Sequence, residues 1–372
     1  MTGHSMIFHV LVQWLNFLGV VGLVGQVLFR WLVLNRSLEE LGPGSPEFDK
    51  AQAMNRKEMR RWMGQLLILL FIVTVLDLII RAEMMSRKPL SATIPMLPLI
   101  ISQTHAGKVW MARMVLLGVL GGLWFVIKDW PHPVLQVLML LASAGLALTA
   151  SLLGHAADKG DLSVAVTADW IHVLSVSAWA GGLVPLRFLM PKITPGLDPR
   201  HRLSLEAAAV QRFSQVAVFS VGLLILSGVY SAWLHLKTLE NFLGTPYGIT
   251  LLLKLIFILP VLVLGGLSRY YIRPVLQSLA GKPVREGIVG RWAHRAVCIL
   301  GGESTGEDYR MLERGYRSRQ VAVVHFRVFV ALQCLLVMAV LGWTALLTQT
   351  SPPNLTHFGI SDQPADMKDM GM

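Results

Sequence analysis

The apolar positions of this chain fall in long unbroken blocks, not in the period of a soluble helix or strand. Eight blocks are long enough to cross about 30 Å of hydrocarbon as helices. They lie near residues 7–34, 62–80, 109–127, 134–153, 167–190, 213–234, 249–268 and 321–348. The pattern predicts an all-α polytopic membrane protein, a bundle of about eight transmembrane helices. The first block exceeds a signal-peptide core and lacks a small-residue cleavage site, so it is expected to be a span. A membrane domain is thus expected over 1–348, followed by a polar, Pro-containing tail over 349–372.

Composition supports this reading. Hydrophobic residues make up 54% of the 372 and charged residues 15%, against about 25% charged in a soluble domain. Mean hydropathy is +0.57. The net charge of +11 is unevenly placed. Loops on one side of the predicted bundle carry 22 Lys and Arg, those on the other side 7. The positive-inside rule then places both termini outside, in the periplasm of a Gram-negative cell. The basic excess is topological, facing membrane lipids, and no nucleic-acid partner is expected. Cys298 and Cys334 are the only cysteines, which excludes a disulfide scaffold and a cysteine-ligated zinc or iron–sulfur site. Gly301, Gly302 and Gly306 lack the Gly-Lys-Ser/Thr ending of a phosphate loop. Any transport would run without an ATPase in this chain, and no enzymatic activity is expected.

Polar side chains at the outer ends of the spans are the candidate chemistry, because ionisable groups in hydrocarbon are costly. His155 follows the fourth span and His172 lies near the start of the fifth, so consecutive antiparallel helices bring them to similar depth. They are expected to share one metal ion or flank one cofactor, with His9, His105 and His235 as further candidate ligands. Met367, Met370 and Met372 put three thioethers in six tail residues. Imidazole with thioether suits copper, Cu(I) above all, although Cu(II) stays open. Haem held between His155 and His172 is the alternative. Asp77, Asp169, Arg113 and Lys254 lie at the same level and are expected to pair as a structural charge network. Trp179, Gly181 and Gly182 are read as packing residues, since glycine lets helices approach closely.

The motifs then carry a resemblance. Gly154-His155-Ala156 is followed by Trp170-Ile171-His172-Val173-Leu174 and by Ala178-Trp179-Ala180-Gly181-Gly182-Leu183. Leu226-Ser227-Gly228-Val229-Tyr230, Thr245-Pro246-Tyr247-Gly248 and Leu252-Leu253-Lys254-Leu255 come next, with Gly107-Lys108-Val109-Trp110-Met111-Ala112-Arg113 upstream. In this order the chain resembles the copper-resistance protein D family of bacterial inner-membrane proteins, over about residues 100–350. The resemblance implies copper handling: movement of copper across the inner membrane with a periplasmic copper-binding partner, led by His155 and His172. A non-transporting scaffold for periplasmic copper chaperones is the other role it leaves open. Three features depart from the family: Ser268-Arg269 where Asn-Arg is usual, Arg327 where an acidic residue is usual, and an insertion about 299–320 within a cytoplasmic segment of about 273–320.

Overall fold

A computed structural model describes residues 3–86, 89–126, 133–236, 239–281 and 319–348. Among these the regular structure is entirely helical. Eight helices are long and apolar enough to cross a membrane. They are α1 (Ile7–Leu41), α2 (Pro46–Ser86), α3 (His105–Val126), α4 (Pro133–Leu152), α5 (Val164–Ile193), α6 (Pro199–Leu234), α7 (Pro246–Leu279) and α8 (Phe326–Leu347). An even number of crossings brings both described ends to one face, here the terminal face. The opposite, Lys/Arg-rich side is the basic face.

The eight expected spans are all present, but several helices overrun the apolar blocks. The block at 62–80 is the middle of α2, which starts sixteen residues earlier. Hydropathy stops at the edge of hydrocarbon, whereas helical hydrogen bonding continues wherever residues favour it, and Lys57, Arg60 and Arg61 do. Caps set the true starts. The Ser45 hydroxyl accepts the Phe48 N–H at 3.1 Å, with Pro46 in the first turn. Ser163 accepts from Val166 at 3.2 Å and opens α5. Thr245 accepts from Gly248 at 3.0 Å and, with Pro246, opens α7. The last two caps lie on the terminal face and fix the helix ends that carry the site.

Four helical turns widen to π geometry: Arg30–Leu34 in α1, Ser177–Gly181 and Pro185–Leu189 in α5, and Ser268–Ile272 in α7. Such bulges rotate one part of a helix against the rest.

Helix α1 is the hub and packs against α2, α4, α5 and α8. One apolar cluster joins α1, α5, α6 and α8 through Phe29, Trp179, Leu183, Phe213 and Val330. A second joins α1 to α2, α3 and α4 through Leu23, Leu70, Leu120, Met139 and Leu146. Within lipid, side-chain hydrophobicity does not hold helices together, so close packing and polar contacts must. Tryptophans supply the polar contacts. Four indole N–H groups donate to a main-chain carbonyl on another helix: Trp14 to Met338, Trp110 to Thr74, Trp124 to Arg60 and Trp170 to Ala144, all at 2.8–2.9 Å. Each carbonyl has a second lone pair to give, so the helix loses nothing.

Candidate metal site

The site is built from the terminal-face ends of α4, α5, α6 and α7. Beyond Leu152 the chain turns through Gly154 into a 3-10 turn, His155–Lys159. The His155 Nδ1 lies 3.6 Å from Asp158 Oδ2. Its Nε2 is buried and has no hydrogen-bond partner among the described residues.

His172 sits two turns into α5. Its Nδ1 is 3.0 Å from the Ser227 hydroxyl on α6. That hydroxyl donates its single proton to the Leu223 carbonyl at 2.7 Å. With the hydroxyl proton on the Leu223 carbonyl, the Ser227 oxygen is placed to accept from His172 Nδ1, the tautomer that leaves the lone pair on Nε2. Gly228 packs beside the His172 ring, where a Cβ would stand in ordinary contact with Cε1 at 3.6 Å. His155 thus keeps an Nε2 without a partner among the described residues, while His172 is held by Ser227 and by the Leu224 backbone of α6. No hydrogen bond joins the two rings.

Charge surrounds His172. Lys254 of α7 interacts with both His172 and Asp169. Asp169 also faces Tyr247 and Ser151. One acid and one base offset each other, so neither is left as an uncompensated charge in the membrane.

The four charges expected at one level form two separate associations, Asp169 with Lys254 and Asp77 with Arg113. In the second, Gln13 donates to Asp77 Oδ1 at 2.5 Å, and Arg81 Nε donates to Oδ2 at 2.8 Å. Arg113, 1% exposed, donates to Asn16 and feels both Asp77 and Arg81. His9 is buried one turn above Gln13 on this face of α1, away from α5 in sequence and on another helix pair. His105 bonds Asp161 at 2.9 Å, and both are about half exposed. His235 lies in the last turn of the helix ending at Leu236, with its side chain outside the described residues. Met367, Met370 and Met372 also lie outside them. Among the described residues, no three His, Cys, Asp or Glu side chains gather closely enough to hold an ion.

The packing residues fall at helix contacts. Trp179 is buried in the cluster shared by α1, α5 and α6. A Cβ on Gly181 would come within 2.2 Å of the Val21 carbonyl oxygen, and one on Gly182 within 2.7 Å of the Phe213 ring.

Ser227, Gly228 and Tyr247 entered the sequence reading only as parts of motifs, and the tertiary structure gives them partners. Gln13 and Asn16 were not singled out. Their signal is local: with His9 they place polar residues at i, i+4 and i+7 in the otherwise apolar first half of α1.

Two family profiles match the chain. The profile described as copper resistance protein D-like, N-terminal domain, covers residues 4–165, and that of copper resistance protein D covers 207–302. The chain belongs to the copper resistance protein D family. The match reaches residue 4, well upstream of the motifs read from sequence, so the hub helix α1 is part of the family fold. His155, Asp77 and Arg113 lie in the first matched segment and Ser227, Tyr247 and Lys254 in the second. Asp169 and His172 fall between the two. The copper transport protein CutJ of Bacillus subtilis is 32% identical over 123 residues, 33% of this chain and 22% of that protein. The inner membrane protein YebZ of Escherichia coli is 30% identical over 180 residues, 48% of this chain and 59% of that protein. The copper resistance protein D of Pseudomonas syringae is 25% identical over 212 residues, 55% of this chain and 67% of that protein. The chain spans about a fifth of CutJ and under two thirds of YebZ. No solved structure matches it. Family and fold together make this chain a multi-pass membrane protein of a family whose matched relatives are named for copper resistance and copper transport.

Proposed function

We propose that this protein takes up copper at its terminal face through His155 and His172 and carries it across the inner membrane. The terminal face is periplasmic in this reading. One observation carries it: the His155 Nε2 is buried with no hydrogen-bond partner among the described residues, while His172 Nδ1 is held by Ser227 of the neighbouring helix. Metal-ligating histidines are typically held this way, with the outer nitrogen fixed and the inner one free to ligate. Few ligands favour Cu(I), since structural zinc takes four and usually brings cysteine. Asp169 and Lys254 add no net charge beside the ion. A periplasmic copper-binding protein would deliver the metal, and the tail methionines Met367, Met370 and Met372 would receive it. His105, His9 and His235 remain candidate further ligands.

Copper titration of the purified full-length protein tests the site. His155→Ala and His172→Ala are each expected to weaken binding by about tenfold or more. The double variant should add little beyond either single change, because the rings act as a unit. Ser227→Ala should cost about 10–100-fold, as is usual when the partner that orients a ligand is lost. Unchanged affinity in folded His155→Ala and His172→Ala would remove both from the site. A Soret band in the visible spectrum would instead assign the histidines to haem.

Orientation has its own test. A periplasmic reporter fused after Met372 should be active and a cytoplasmic one silent. The reverse result would invert the bundle and turn uptake into export.

A further inference from the structure

The far ends of the same helices hold a second group of donors. At the basic face, α5, α6, α7 and α8 border a small, partly open cavity whose lining includes Leu186, Met190, Glu206, Val210, Phe326 and Arg327. Glu206 is 9% exposed. Its Oε1 accepts from Arg327 Nη2 at 3.2 Å and from Arg202 Nε at 3.4 Å. Met190, 3% exposed, brings a thioether to the same cavity. The two arginine side chains reach solvent at 28% and 40% exposure, so each is a tether anchored at the rim.

We propose that Glu206 and Met190 form a second, exit-side site for Cu(I), held in the resting protein by the Arg327 guanidinium as a tethered counter-ion. The proposal rests on the uptake reading above. A carboxylate oxygen and a thioether sulfur are a hard and a soft donor, and the sulfur selects a soft ion over Na⁺ or Mg²⁺. A buried carboxylate without a cation is strongly unfavourable, so some cation must be present between arrivals. Arg327 is that cation. An arriving Cu(I) replaces one positive charge by another, and the carboxylate stays compensated throughout the exchange. The apolar walls of Leu186, Val210 and Phe326 lower the local dielectric and strengthen either pairing. Placement is consistent with a path. Met190 follows His172 by about 27 Å of helix, close to the full hydrocarbon thickness. Helices α5 and α6 therefore carry His172 and Ser227 at one end and Met190 and Glu206 at the other. Arg327 is then the plug for this mouth.

The test is anaerobic Cu(I) titration of the full-length protein in nanodiscs, in competition with a Cu(I) chelator. Wild type should bind two Cu(I), and the His155→Ala/His172→Ala variant one. Met190→Leu and Glu206→Gln should each lose the second ion and keep the first. Arg327→Gln should tighten the second ion by about tenfold. If Glu206→Gln does not fold, Met190→Leu and Arg327→Gln decide. A single ion that depends only on His155 and His172, unaffected by Met190→Leu and Arg327→Gln, overturns the exit site and leaves the uptake site standing. No bound Cu(I) in wild type overturns both.

Discussion

Gly181→Leu is expected to abolish accumulation of folded protein, and Gly181→Ala to lower it severely. A Cβ at 181 would lie 2.2 Å from the Val21 carbonyl oxygen and 3.0 Å from Gly25 Cα. A Cβ at Gly25 would lie 2.5 Å from both Gly181 Cα and the Ser177 carbonyl oxygen. Both sides are backbone, so no side chain can rotate away. The contact joins α5 to the hub helix α1, and opening it would disturb the packing of α1 on α2, α4 and α8. Overpacking a core costs about 1–3 kcal/mol where neighbours can adjust, and here they cannot. Gly182→Ala should be milder, because its obstacle is the Phe213 ring, which can turn. Gly118→Ala, with open space around it, should be neutral. Yield and melting temperature in detergent check the ranking. A Gly181→Ala protein with wild-type yield and melting temperature would refute the backbone contact.

Asp77→Ala is expected to destabilise the protein by about 3–5 kcal/mol, the usual cost of leaving a buried charge without its partner. It removes the acceptor of Gln13 and Arg81 and leaves Arg113, 1% exposed, with only Arg81 for an ionic neighbour. Replacing both, as Asp77→Leu with Arg113→Leu, should cost less than the single change, because the charge that then loses its partner, Arg81, is partly exposed and not fully buried. Thermal unfolding of the three proteins measures the coupling. Equal losses in single and double variants would mean the two charges do not compensate each other. Copper binding by a stable double variant would assign this network to structure, and loss of binding would draw it into the path.

The spans were legible in the sequence, and candidate ligands could be named from it. His155 and His172 could be placed at one depth because consecutive spans alternate direction and hydropathy marks where each ends. What could not be read was the state of each ring. That depends on Ser227, 55 residues away, and on the Leu223 carbonyl that takes the Ser227 proton. The charged residues were also visible singly, but their pairing was not. Asp77 and Asp169 look alike in sequence, yet one faces Arg113 and the other Lys254.

The amino-acid sequence alone determined the number of crossings, their alternation and the level of each polar group, because transfer into hydrocarbon is a sum over about 20 neighbouring residues. Only the tertiary structure decided which faces meet. A helix apolar on all sides carries no stripe to mark its buried face. Gly181 could be read as a packing residue from sequence, but only the rotation of α5 against α1 shows that it meets the Val21 and Gly25 backbone, while Gly118 meets nothing. The same holds for Glu206, Met190 and Arg327, which lie on three helices and meet only because those helices close on one another at the basic face.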